Sequence, residues 1–327
     1  MIYKNIPQTE LNPSVICLGT VPFGKGITES ESFKLMDTYY GLGGNFIDTA
    51  NIYSDWEPGE KGASEKTIGK WLRTRNNRNK IILGTKGGHP DLNNMNIPRI
   101  TYKDINTDLG VSLKRLQTDY IDIYWLHRDD INQPVEYIID IMNKFVKEGK
   151  IRYFGCSNWK SNRIQQANNY AKTKNEHGFI ANQLWWNLAK INWENVADKT
   201  LVYMDDIELK FHNETKLPVA AYSAQANGFF GGAYGKGIMN PKTISGATVI
   251  KFYYNETNFK ILEKVKYLAK QKNRSPNQIA LAYLLNQDFI VFPIIGCRTE
   301  EQIKEACLSV DIKLSKGELN YLKDTNN

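Results

Sequence analysis

Eight short, mostly continuous apolar runs recur along this chain, at 15–20, 45–49, 81–86, 120–126, 151–156, 179–184, 218–223 and 289–295. Runs of this kind, without strict alternation, predict strands of a parallel sheet that is covered on its outer side. Between them the spacing becomes helical. Val135, Ile138, Ile139, Met142, Phe145 and Val146 form one stripe, and Ile105, Leu109, Leu113 and Leu116 form another. Ser64-Glu65-Lys66-Thr67 opens a further helix with Ile68, Trp71 and Leu72 on its inner face. Eight strands alternating with helices predict an α/β chain of the (β/α)8 TIM-barrel class, whose functional face lies at the C-terminal strand ends. The doubly wound alternative is weaker. The first strand leads into Gly19-Thr20-Val21-Pro22-Phe23-Gly24, which lacks the spacing of a phosphate-cradling GxGxxG. No Pro- or Ser-rich linker and no short repeat divides the chain, so 1–327 reads as one domain. Residues 1–14 are expected to precede the barrel. The stretches 186–216 and 225–255 are expected to form long irregular rim loops.

Composition narrows the picture slightly. The net charge of +7 invites a nucleic-acid partner, but Lys and Arg are dispersed with acids between them, as on a solvated surface. No apolar stretch approaches a membrane span, and the N-terminus lacks the apolar core of a signal peptide, so a cytoplasmic protein is expected. Cys17, Cys156, Cys297 and Cys307 form no CxxC pair and suggest neither zinc nor a disulfide framework.

The candidate chemistry sits at strand ends. Asp48 ends the second run, Lys86 the third, and His127 follows the fourth, while Tyr53 lies five residues beyond Asp48. Each has an ordinary explanation alone: a helix-capping Asp, a rim Tyr, a snorkelling Lys, a satisfied core His. Placed together on one barrel rim, they are what is needed to protonate a carbonyl oxygen without a metal.

With these residues in hand, the chain resembles the aldo-keto reductase superfamily over nearly its full length. The matching segments are Gly44-Asn45-Phe46-Ile47-Asp48-Thr49-Ala50 with Tyr53, then Ser64-Glu65 with Ile68-Gly69 and Leu72, and Thr85-Lys86. Leu126-His127, Gly155-Cys156-Ser157-Asn158-Trp159, Asn182-Gln183, Tyr222-Ser223 and Gly296-Cys297-Arg298 with Glu301-Gln302 continue the match. The resemblance implies carbonyl reduction by a nicotinamide cofactor. Tyr53 is then the proton donor, and Lys86 lowers its pKa. Asp48 fixes Lys86, and His127 donates a hydrogen bond to the substrate oxygen.

The resemblance also implies the cofactor contacts. Ser157, Asn158 and Gln183 would hold the nicotinamide carboxamide, and Tyr222 would stack on the ring. The 225–232 segment, with Gly228, Gly231 and Gly232, would approach the pyrophosphate. Arg298 would read a 2′-phosphate, which favours NADPH over NADH, and Gln302 and Glu305 would face the adenine. Gly19, Thr20, Asp48, Ser223, Gln225 and Gly296 complete the set. The chain departs from the family at Ala224-Gln225, Asn227 and Ala306. Glu300 and Glu301 are candidates for the ribose-hydroxyl acceptor that would suit NADH.

Trp56, Trp159, Trp185 and Trp186 fall near the expected rim. Trp56, Trp159 and Trp186 are the candidate walls for a bulky apolar or aromatic carbonyl. The expected molecule is a monomer or a weak homo-oligomer with a small-molecule substrate. Two other readings share the fold: a cofactor-sensing regulatory subunit similar to potassium-channel β-subunits, and a sugar or polyol dehydrogenase working oxidatively.

Overall fold

In the computed structural model, which describes residues 1–238 and 243–324, each apolar run supplies a strand. They are β1 (Cys17–Gly19), β2 (Phe46–Asp48), β3 (Ile82–Gly87), β4 (Ile121–Leu126), β5 (Ile151–Ser157), β6 (Asn182–Trp185), β7 (Val219–Tyr222) and β8 (Val291–Ile295). All pair in parallel in sequence order, and β1 also pairs with β8 to close the barrel. Six helices occupy the successive connections from β1 to β7: α1 (Glu29–Gly41), α2 (Ala63–Arg75), α3 (Tyr102–Leu116), α4 (Val135–Lys147), α5 (Ser161–Lys174) and α6 (Asp206–Thr215). The β7–β8 connection holds α7 (Gly246–Tyr253), α8 (Glu256–Lys272) and α9 (Pro276–Leu285), and α10 (Glu300–Cys307) and α11 (Lys316–Lys323) follow β8. The (β/α)8 barrel read from the pattern is therefore the fold. No helix among the described residues is long and apolar enough to cross a membrane.

Two cores divide the strand residues by parity. Leu18, Ile47, Leu83, Tyr124, Leu126, Phe154, Leu184, Ala221 and Ile295 pack outward against the helices. Cys17, Phe46, Ile123, Trp125, Ala181, Ala220, Phe292 and Ile294 form a separate cluster. That second cluster is the barrel interior. Phe46 on β2 and Phe292 on β8 are not on neighbouring strands, yet their rings meet edge-to-face at 5.7 Å. Glycine makes room there for one large side chain. A Cβ on Gly155 would come within 2.4 Å of the Trp125 ring, and one on Gly84 within 2.8 Å of its indole nitrogen. Ile6 and Leu11 join this cluster from an N-terminal hairpin pinned by the Tyr3–Ser14 bridge, so the segment that precedes β1 contributes two side chains to the barrel interior.

Because side chains alternate along a strand, the inward parity continues upward to the C-terminal rim. It passes through Gly19, Asp48, Lys86, His127, Ser157, Gln183, Tyr222 and Gly296. The top inward layer of the barrel is thus made almost entirely of candidate site residues.

The stretches expected to be irregular are only partly so. Residues 206–215 of the first are α6, whose Asp205 N-cap Oδ1 accepts from the Ile207 and Glu208 amides. Its buried face is carried by Glu208 and His212, polar residues that leave no apolar stripe to read. The second contains α7, and its residues 239–242 lie outside the described residues, as do 325–327 of the expected 1–327 domain.

Candidate active site

Lys86 organises the floor of the rim. Its Nζ donates to Asp48 Oδ2 at 2.6 Å, to the Thr49 carbonyl at 2.7 Å and to the Tyr53 hydroxyl at 2.8 Å. All three hydrogens of the ammonium are therefore committed, and the side chain is 1% exposed. Asp48 is held on both oxygens, because Gln183 Nε2 donates to Oδ1 at 2.9 Å. The Tyr53 hydroxyl also lies 3.5 Å from Asp48 Oδ2. A buried ion pair tolerates such desolvation only when its remaining lone pairs and hydrogens are satisfied, as they are here.

Beneath this, Thr20 supports Asp48 without lining the cavity. Its amide and hydroxyl both donate to the Asp48 carbonyl, and the hydroxyl pairs with Ser64 at 2.9 Å. The expected cofactor contact at Thr20 is thus a structural support. Glu65, fully buried, accepts from Thr85 at 2.7 Å and pairs with Arg115 at 3.2 Å, and Arg115 also donates to the Asn51 carbonyl. The Ser64-Glu65 motif therefore props the segment leading from Asp48 to Tyr53.

Burial pushes the Tyr53 phenol well above its usual pKa, with Asp48 adding to the effect. This direction, set by desolvation and the adjacent carboxylate, is opposite to the lowering expected from Lys86. Burial also lowers the pKa of Lys86, opposed by Asp48. His127 is held well below its normal pKa by burial, then by Arg128, His89 and Lys86. It is therefore neutral, with one N–H. Its Nδ1 is buried and has no hydrogen-bond partner. An orphaned lone pair is tolerated better than an orphaned N–H, which assigns the proton to Nε2. The His127 ring meets Tyr53 edge-to-face at 6.2 Å and His89 at 4.7 Å.

A cavity of about 830 Å³ opens above this floor. Asp48, Tyr53 and His127 line it, as do Gly19, Ser157, Asn158, Gln183, Tyr222, Ser223, Gln225 and Gly228, followed by Gly296, Arg298, Gln302 and Glu305. Of the sequence-derived catalytic and cofactor residues, Lys86 and Thr20 are absent from the wall and lie beneath it, and the ribose candidates Glu300 and Glu301 are absent as well. Asn158 has the left-handed φ of 60° that Asn tolerates. Its Oδ1 accepts from the Tyr222 hydroxyl at 2.8 Å and from the Val202 amide at 3.1 Å. After β7, Ser223, Ala226, Asn227 and Gly228 all have positive φ, a concentration of strained backbone at the cavity wall.

The tryptophans lie elsewhere. Trp159 is fully buried among the helices, packed against Phe179 at 4.8 Å with its indole donating to the Arg128 carbonyl. Trp186 stacks on Phe289 at 5.7 Å behind the rim, and Trp56 is 53% exposed on the loop after Tyr53. None of the three lines the cavity, which corrects that expectation. Aromatic residues at loop junctions satisfy burial in the helical layer as readily as at a mouth, and sequence spacing does not separate the two. Residues missed from sequence include Arg128, Leu201, Tyr234 and Ser275 on the wall. Only Arg128 had a local signal, its position directly after His127.

Comparison with known proteins agrees with this geometry. The family model described as "Aldo/keto reductase family" matches residues 15–327. The uncharacterized oxidoreductase YrpG of Bacillus subtilis (strain 168) is 32% identical, covering 99% of this chain and 95% of the relative. Norsolorinic acid reductase B of Dothistroma septosporum is 30% identical over 99% of this chain and 81% of its own. Aryl-alcohol dehydrogenase [NADP(+)] of Phanerodontia chrysosporium is 29% identical over 98% and 84%. A crystal structure of a thermostable aldo-keto reductase, Tm1743, in complex with the inhibitor epalrestat, superposes over the full length of both chains with a TM-score of 0.74. At 24% identity, that likeness bears on the fold. The chain belongs to the aldo/keto reductase family, and it is an oxidoreductase of that class.

Proposed function

We propose that this chain reduces aldehydes and ketones, aryl carbonyls among them as the aryl-alcohol dehydrogenase relative suggests, to alcohols with NADPH. The observation that carries the reading is the Tyr53 hydroxyl, 2.8 Å from Lys86 Nζ and facing a cavity large enough for cofactor and substrate. The walls fit a dinucleotide. A Cβ on Gly228, Gly232 or Gly296 would meet nothing within 4 Å, so the backbone there is open to a ligand. Ser157, Asn158 and Gln183 would hold the carboxamide, Tyr222 the ring, and Arg298 the 2′-phosphate. Glu300 supports the NADPH preference, because its Oε2 accepts from Thr38 on α1 at 2.6 Å and is committed away from a ribose hydroxyl.

When bound, NADPH supplies a hydride to the carbonyl carbon. The raised pKa of Tyr53 keeps its proton in place until the carbonyl oxygen gains alkoxide character and becomes the stronger base. Proton transfer then leaves a phenolate 2.8 Å from the Lys86 ammonium. This is where the lysine's charge acts: it stabilises the conjugate base more than the neutral phenol. His127 donates from Nε2 to the same oxygen and, being neutral, does not compete as an acid. The same groups run in reverse for alcohol oxidation, the direction in the name of the fungal aryl-alcohol relative. Nicotinamide absorbance, followed with NADPH and NADH separately against aromatic aldehydes and polyols, tests the reading. NADPH consumption with aromatic aldehydes is expected. Consumption of neither cofactor would overturn the enzyme reading, and consumption of NADH alone would overturn the cofactor preference.

A further inference from the structure

We infer that Arg128 is a substrate-recognition residue and that the preferred substrates are aryl carbonyls bearing an acidic group, a carboxylate or an acidic phenol. The inference rests on the reductase reading above and deepens it. Arg128 follows His127 directly at the top of β4 and is 7% exposed. Its guanidinium is fixed from three sides: Nη1 donates to the His127 carbonyl at 2.8 Å, Nε to Thr200 Oγ1 at 3.0 Å and Nη2 to Asp198 Oδ2 at 3.0 Å. Trp159 anchors its backbone carbonyl at 3.1 Å. Those contacts use three of the five N–H groups a guanidinium carries and leave two for a ligand.

The placement of charge is what points to an anion. Arg128 lines the cavity, whereas its counter-ion Asp198 and its partner Thr200 do not. The carboxylate nearest to it on the wall, Asp48, has one oxygen bound to Lys86 and the other to Gln183. Lys86 is sealed beneath the floor with its hydrogens committed. The remaining charged wall groups, Arg298 and Glu305, follow β8. Arg298 Nη1 reaches the Gly26 carbonyl at 3.3 Å, and Glu305 accepts from Ser275. At the catalytic end the cavity therefore meets one cation, Arg128, whose counter-ion Asp198 lies off the wall. Its field reaches the other site groups, disfavouring protonated His127 and His89 and favouring ionised Tyr53 and Tyr222. A buried, preorganised guanidinium that lines a ligand space, with its counter-ion off the wall and two N–H groups free, suits a carboxylate or phenolate.

A purely structural role, tying the 198–202 segment to the rim, makes a different prediction. Loop loosening would reduce turnover of charged and neutral substrates alike. The test compares kcat/KM for 3- and 4-formylbenzoate with the near-isosteric 3- and 4-formylbenzamide, in the wild type, Arg128→Lys and Arg128→Met. In the wild type at least one formylbenzoate is expected to exceed its amide by about tenfold, mainly through KM, the lower range for a charge-assisted hydrogen bond. Arg128→Met is expected to bring the ratio to within about twofold, with Arg128→Lys between. A wild-type ratio near one, or one that survives in Arg128→Met, would overturn the inference. Failure of the wild type to reduce any of the four aldehydes would instead count against the reductase reading. If Arg128→Met does not fold, the wild-type ratio and Arg128→Lys still decide the matter.

Discussion

At the catalytic end of the cavity Lys86 makes three hydrogen bonds of 2.6 to 2.8 Å to groups on or just beyond β2. At the far end the Arg298 side chain makes one hydrogen bond among the described residues, 3.3 Å to the Gly26 carbonyl. There Gln302 spends its Oε1 on the Arg298 amide at 2.7 Å. The first region is built from strand ends whose orientation the barrel dictates. The second is built from a turn and α10, where side chains bond to their own segment. A site on rigid strands is preorganised before any ligand arrives, while one on a surface turn gains its contacts only when the ligand supplies them. On the proposed function, the chemistry is thus carried by the scaffold and cofactor choice by residues whose side chains bond to their own segment.

This contrast can be broken most sharply at Tyr53. Tyr53→Phe is expected to lower kcat by about 10²–10⁴, the range for a general acid, while cofactor affinity measured by tryptophan-fluorescence titration changes little. Near wild-type kcat would remove Tyr53 from its role.

Lys86→Met should cost both activity and stability. It strands Asp48 in a buried site, for which about 3–5 kcal/mol of destabilisation is typical. Adding Asp48→Asn should recover much of the Tm without restoring turnover. Equal Tm in the single and double variants would mean that the ion pair is not what the fold depends on.

The far end predicts smaller and more selective effects. Arg298→Ala should raise KM for NADPH by about tenfold to a hundredfold, in line with the loss of hydrogen bonds to a charged group. KM for NADH should barely move. Equal losses would show that Arg298 does not read the 2′-phosphate.

The smallest effect concerns pH and lies outside both regions' chemistry. Burial lowers His212 to about 4, offset in part by its bond to the Leu217 carbonyl, and burial with Arg128 lowers His89 to about 4. Their folded-state pKa lies below the unfolded value, so the unfolded chain binds protons first as pH falls. The stability they give is complete above about pH 6.5 and is lost between there and about pH 4, on the order of 1 kcal/mol for each by pH 5. Thermal unfolding at pH 7 and pH 5 should show this, with a shallower slope in His212→Asn. An unchanged slope would mean that His212 is not buried neutral.

Much of the catalytic region was legible because a strand end is marked twice, by an apolar run and by the polar residue that stops it. Asp48, Lys86 and His127 carry both marks. Tyr53 carried neither: it was singled out by its place five residues beyond Asp48, and its role as acid came from the resemblance. The tryptophans show the opposite case. Trp159 follows a strand just as His127 does, yet it turns into the helical layer against Phe179, and no local pattern distinguishes the two fates. α6 was hidden because its inner face is polar: Glu208 Oε1 accepts from the Ser161 amide and hydroxyl while Oε2 is left without a partner, and His212 pairs with the Leu217 carbonyl.

The sequence alone determined the barrel, the order of its strands and the rim on which the polar strand ends meet, because the spacing of apolar and polar positions is a local property of the chain. The direction of each pKa, the proton on His127 Nε2, the support role of Thr20 and the cation of Arg128 turned to the cavity were decided only by tertiary structure. They depend on which groups from distant segments lose water together, and desolvation belongs to the packed assembly rather than to any stretch of sequence.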